Sequence, residues 1–358
     1  MNLFSKILIC VLIPTLLFGS DGMKHEKSKT VNRKFDVRSD ATVYIKNKYG
    51  NVNVSTWDKN VVEIEVKITV KGNNLDKVNS KLDAIKINFE ASESLVEART
   101  QIESTRSNWS WWGNNNNINY KINYYIKMPV TNNADLNNKY GNIELESIEG
   151  KTNINCDYGS VQTDKLLNSS NTISLDYCGS SVFQYVKSGS VNADYSKVII
   201  NESEKLKVNA DYTGVKIGKV DHVDFNSDYG SIAVEDVNTV KGNSDYAGMR
   251  IGTVRKSLNI NTDYGGLRIK NLAKGFDSVI IDGSYAGIKI GTARDNSFSF
   301  IVNTSYASFK YPDEHVETFK AIRKTTKKYY EGTFGKEKSN SKINIKSSYG
   351  GVSLRLND

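Results

Sequence analysis

The chain has 358 residues, with 48 Lys and Arg against 40 Asp and Glu and a formal charge of +8. The excess is diluted by alternating signs, and only Lys320, Arg323, Lys324, Lys327 and Lys328 cluster, which fits a solvated face or attraction to anionic polysaccharide or lipid headgroups and argues against nucleic acid. His25, His222 and His315 are scattered, and no nucleophile-base-acid pattern or metal-ligand spacing accompanies them, so catalysis is set aside.

Residues 1–20 read as an export signal. Lys6 precedes an apolar run from Ile7 to Phe18, broken only by Pro14 and Thr15, and the small residues Gly19 and Ser20 follow. The run is shorter than the roughly 20 apolar residues of a membrane-spanning helix, and Cys10 lies inside it, which argues against a lipidated cysteine. No later segment is apolar enough to span as a helix, so an exported chain in the periplasm, at the outer membrane surface or outside the cell is expected.

Residues 31–129 form a strand-rich region. It opens on Val43-Tyr44-Ile45 and Lys48-Tyr49-Gly50, and strands are predicted near 61–70, 85–90, 95–103 and 118–128. A helix is predicted from Leu75 to Ile85, with Leu75, Val78, Leu82 and Ile85 on one face. Between two of these strands stand Trp109, Trp111 and Trp112 in an Asn-rich connection. They read either as packing on the end of the fold or as an aromatic platform for a glycan.

Residues 130–311 repeat a phrase. Lys139-Tyr140-Gly141 is followed by Asp-Tyr at Tyr158, Tyr177, Tyr195, Tyr212, Tyr229, Tyr246 and Tyr264, and by Ser-Tyr at Tyr285 and Tyr306, in steps of 17 to 21 residues. A small residue follows each within two positions. Between phrases the apolar residues alternate, as in Leu206, Val208 and Ala210 against Lys207, Asn209 and Asp211, which argues half-buried strands and stacked coils. The expected fold is all-β, a parallel β-helix whose coils pair about 4.8 Å apart. Its open edges need covering, a role open to the N-terminal region and to residues 312–358. In the latter, Asp313 to Tyr330 reads as a helix, with Val316, Phe319 and Ile322 three apart, or as an irregular excursion, and Ser348-Tyr349-Gly350 restores a last coil.

Cys156 lies two residues before its tyrosine and Cys178 one after its own. Stacked tyrosines would leave the thiols about three positions out of register, so two buried free thiols are expected rather than a bridge.

With the Tyr-Gly phrases, Trp57-Asp58, the strand Val62-Glu63-Ile64-Glu65-Val66 and the closing Ser348-Tyr349-Gly350-Gly351-Val352 together, the chain resembles the putative-adhesin family of exported bacterial proteins. The resemblance implies a right-handed parallel β-helix in a Gram-negative envelope and names no catalytic residue.

Two columns then stand out. Asp194, Asp211, Asp228 and Asp245, with their neighbours, would stack outward and repel by about 0.8 kcal/mol per pair in water. Backbone N–H groups and lysines at the corner could offset that, or a Ca²⁺ between adjacent rungs. The tyrosines should point inward or sit at a corner, each ring on the next. The function expected is a non-enzymatic surface for a glycan or protein at the cell envelope, with Trp109, Trp111 and Trp112 as contacts. A periplasmic scaffold and a polysaccharide-cleaving enzyme are the alternatives.

Overall fold

Strict apolar alternation over short runs, with almost no proline to interrupt it, commits most of the described residues to strands, and the protein is all-β. The computed structural model describes residues 23–103 and 118–357. They divide into two units, residues up to 172 with 177–179, and residues 173–176 with 180 onward.

In the first unit the chain pairs both ways. His25–Asp36 runs antiparallel to Val61–Gly72, which runs antiparallel to Asn119–Pro129. Ile85–Ser92 and Leu95–Ile102 make an antiparallel hairpin. The remaining pairs are parallel. Thr42–Lys48 lies between Leu95–Ile102 and Asn133–Lys139, and Thr152–Asp157 follows on the far side of Asn133–Lys139. The helix is Leu75–Ala84, capped by Asn74, whose side chain accepts from the Lys77 N–H at 3.0 Å. Val78 and Leu82 are buried as the apolar face requires, whereas Leu75 is exposed and Ile85 opens the next strand.

The second unit is built from parallel coils that stay in register but for shifts between Val237 and Thr239 and between Ile269 and Leu272. Asp194, Asp211, Asp228, Asp245 and Asp263 stand opposite one another in successive strands. In Gly214–Asp228 the buried side chains are Val215, Ile217, Val220, Val223, Phe225 and Ser227. The pairing skips Gly218 and Asp221, where the alternation shifts phase and the strand bends. Each buried residue sits on its counterpart in the next coil, so the core is a set of apolar columns. Val198, Val215, Ile232 and Met249 form one of them.

The end of this unit departs from chain order. Lys342–Ser348 lies between Ser278–Ser284 and Phe298–Ser305, and Val352–Leu356 lies between Ile288–Thr292 and Phe309–Lys310. The last coil in sequence is therefore inserted before the coil of Tyr306. Asp313 to Tyr330 is neither helix nor irregular chain. After a 3₁₀ turn at Asp313–His315, Val316–Arg323 and Lys327–Phe334 form an antiparallel hairpin that pairs with Phe298–Ser305. Val316, Phe319 and Ile322, three apart, suggested a helical face. Instead, Phe319 and Ile322 are exposed, because neither face of this outer strand is covered and none of its residues is buried.

Cys156 and Cys178 are buried and unbridged. The Cys178 thiol donates to the Cys156 carbonyl oxygen at 3.0 Å, and contact with the Cys178 thiol together with burial pushes the Cys156 thiol up.

Candidate functional site

Each coil turns one sharp corner at its tyrosine. Tyr195, Tyr212, Tyr229, Tyr246, Tyr264, Tyr285, Tyr306 and Tyr349 all have φ between 49° and 58°, the left-handed region that side chains other than glycine's rarely adopt. One such residue breaks the alternation. Asp211 and Tyr212 are both exposed and Thr213 turns back into the core. Of the two placements open to the tyrosines, the corner is the one found.

The rings form a stack. Within the second unit adjacent rings lie 4.7 to 5.0 Å apart with planes within 4° of parallel, in the order Tyr195, Tyr212, Tyr229, Tyr246, Tyr264, Tyr285, Tyr349, Tyr306. From Tyr195 to Tyr349 in that order, each tyrosine N–H donates to the carbonyl of the residue before the next tyrosine, as Tyr212 does to Asp228 at 2.9 Å, and Tyr306 at the end donates to the Thr326 carbonyl at 2.7 Å. The first unit carries its own stack of Tyr49, Tyr140, Tyr158 and Tyr177, with Tyr120 edge-on to Tyr49 and Lys139 over two of the rings. The left-handed backbone costs about 1–2 kcal/mol per residue, and a stacked pair returns about 0.5–1.5 kcal/mol. The geometry also fixes what the stack can offer. Ring faces cover one another, so edges and hydroxyls meet solvent, and the rings are about half exposed.

Two polar columns flank these rings. Asn209 donates to Asn192 at 2.8 Å, Asn226 to Asn209 at 3.3 Å, Asn243 to Asn226 at 3.0 Å and Asn261 to Asn243 at 3.0 Å. This amide ladder occupies polar positions that the alternation marks only as outward-facing. Between it and the rings run Asp194, Asp211, Asp228, Asp245 and Asp263, brought side by side as the register requires. Asp211 accepts weakly from the Asp228 N–H at 3.4 Å. Partial loss of solvent, and then the charges of Asp228 and Asp263, hold the Asp245 carboxyl above its ordinary 3.8. Among the described residues no group of three or more His, Cys, Asp or Glu converges as a metal cage.

Trp109, Trp111 and Trp112 lie outside the described residues. Trp57 ends the strand Val52–Trp57, its indole N–H donating to the Val61 carbonyl at 2.8 Å with Lys59 over the ring.

One column was missed in the sequence altogether. Lys216, Arg250, Arg268, Lys289 and Lys310 occupy equivalent outward positions four residues after their tyrosines; Arg250, Arg268 and Lys289 are neighbours, while Ala233 separates Lys216 from Arg250 and Ser353 separates Lys289 from Lys310. The signal was available only by counting from each tyrosine.

No family model matches the chain, and no curated protein matches it. Solved structures similar to it include a putative cell adhesion protein from Clostridium sporogenes, 12% identical over 92% of this chain and 100% of that one, with a TM-score of 0.18. A putative adhesin from Parabacteroides distasonis is 12% identical over 71% of this chain and 94% of that one, at a TM-score of 0.36. A putative lipid binding protein from the same species is 11% identical over 92% and 97%, at 0.33. At such TM-scores the likeness carries no argument about fold or activity.

Proposed function

We propose that the chain is an exported, non-enzymatic binding protein, a right-handed parallel β-helix that presents a repetitive outer surface to a glycan or protein at the cell envelope. The observation that carries this reading is the tyrosine stack. A left-handed backbone at every corner is strain kept where glycine would remove it, and it holds a row of phenol edges in solvent at a fixed spacing. A surface that repeats every coil suits an extended partner that itself repeats. Trp109, Trp111 and Trp112 add an aromatic contact beyond the stack. Export rests on the leader read in residues 1–20.

Protease treatment of intact cells, with lysed cells as control, tests the surface placement. Degradation in intact cells is expected. Complete protection until lysis would overturn the adhesin-like reading in favour of a periplasmic scaffold.

A further inference from the structure

The residues beside the tyrosine stack make a channel. Two positions after the tyrosines stand Gly214, Ser231, Gly248, Gly266, Gly287, Gly351 and Ser308, in register from coil to coil. Gly248 opens its strand, and Gly266, Gly287 and Gly351 stand in the corner just before theirs, where glycine carries an entropic cost unless its backbone freedom or its lack of a side chain is used. None of these glycines has positive φ. A Cβ added at Gly248 or Gly287 would meet nothing within 4 Å, and one at Gly266 would only touch the Gly287 carbonyl at 3.9 Å. Neither packing nor backbone geometry therefore requires glycine here. The effect is a floor of bare backbone along the foot of the rings.

The opposite wall is basic. Arg250, Arg268 and Lys289 line it on adjacent coils, Ser353 takes the next position and Lys310 the one after, and Lys270 and Arg355 stand two positions further along their strands. The strand segments that carry them, residues 248–254, 267–272, 288–292, 352–356 and 309–310, contain no Asp or Glu. None of the six cations is in an ion pair with another described residue. Earlier in the same column the balance differs, since Lys216 is paired with Glu235 at 2.7 Å. On the far side of the rings the acid column stops at Asp263, and Ser284, Ser348 and Ser305 take its place. The cations of the channel are therefore unpaired from Arg250 onward, and from Tyr285 to Tyr306 no acidic residue directly precedes a ring to offset them.

We infer that this channel, with Gly248, Gly266, Gly287 and Gly351 as floor, binds a linear acidic polysaccharide. The inference rests on the reading of the chain as a binding surface. Arg250, Arg268 and Lys289, in file on three adjacent coils at the repeat of about 4.8 Å, suit carboxylates carried along an extended glycan. The phenol row opposite can donate to and accept from sugar hydroxyls. Single-stranded nucleic acid is disfavoured because the ring faces on which bases would stack are already covered. A membrane is disfavoured because this face presents no large exposed aliphatic side chain to insert.

The test titrates the purified chain with polygalacturonate, with neutral dextran, with a single-stranded oligonucleotide and with phosphatidylglycerol vesicles. The variants are R250A/R268A/K289A, which removes charge, and G248L/G287L, which fills the channel without changing charge. All five positions face outward, and thermal unfolding checks that the fold survives. Polygalacturonate is expected to bind, to weaken with salt, to lose about a hundredfold in the charge variant and at least about tenfold in the filled one. Dextran should not bind. The inference is overturned if neither variant alters polygalacturonate binding, if the filled variant binds like wild type, or if the oligonucleotide or vesicles bind through these residues and polygalacturonate does not. Failure of polygalacturonate with degradation on intact cells removes the channel and leaves the surface reading standing. Protection on intact cells removes the surface reading whatever the channel binds.

Discussion

Replacing Tyr229 with valine should destabilise the second unit by about 2–4 kcal/mol, whereas glycine at the same position should cost about 1–2 kcal/mol less. Tyr229 sits at φ 53° between Tyr212 and Tyr246, with ring centroids 5.0 and 4.9 Å away. Either substitution removes both stacked pairs, a loss of about 1–3 kcal/mol. They differ in the backbone. Valine, branched at Cβ, is poorly tolerated in the left-handed region, and glycine enters it without steric penalty. Phenylalanine keeps ring and backbone alike and should unfold close to wild type. Denaturant unfolding of the set reads the two contributions separately, and equal losses for valine and glycine would show that the corner is not strained.

The second large effect lies in the core. Gly242 occupies the column of Val208, Phe225 and Ile260, and a Cβ there would overlap the Phe225 ring. The large side chain of one coil thus fills the space its neighbour leaves vacant. Gly242→Val should cost about 3 kcal/mol, at the upper end for overpacking, since the ring is fully buried with no open side to move into. Phe225→Ala alone should cost about 3–5 kcal/mol through the cavity it leaves. The double variant should be more stable than the sum of the two losses by at least about 1 kcal/mol, because the valine occupies the vacated volume. Additive losses in a double-mutant cycle would mean that the two positions do not share that space.

How much of this was legible in the sequence follows from what repeats. The Asp-Tyr phrase revealed the coil length because every coil turns the same corner, and the alternation between phrases revealed which strand residues are buried. The direction of the tyrosines was not legible. A single left-handed residue shifts the phase by one position, and only φ reports it. The asparagine ladder was hidden for a related reason, since Asn209 and Asn226 look like any polar residue on an outward face until register sets them 17 residues apart in sequence and in contact in space. The cation column needed the same translation. The place of the Tyr349 coil between those of Tyr285 and Tyr306 is decided by which strand edge the returning chain meets, and local pattern carries no record of that. Phe319 and Ile322 misled because spacing of three is also what a one-sided, solvent-facing hairpin strand can show by chance.

The exposed tyrosines also report on the channel, because each is a separate label along its length. Hydroxyl-radical footprinting of the chain with and without polygalacturonate, read residue by residue, is the most direct test of a repeat surface with one basic channel. Protection is predicted at Tyr246, Tyr264, Tyr285 and Tyr349, with Tyr195 and Tyr158 unchanged. Protection spread evenly over all the tyrosines, or confined to Phe319 and Ile322 on the hairpin, would contradict it.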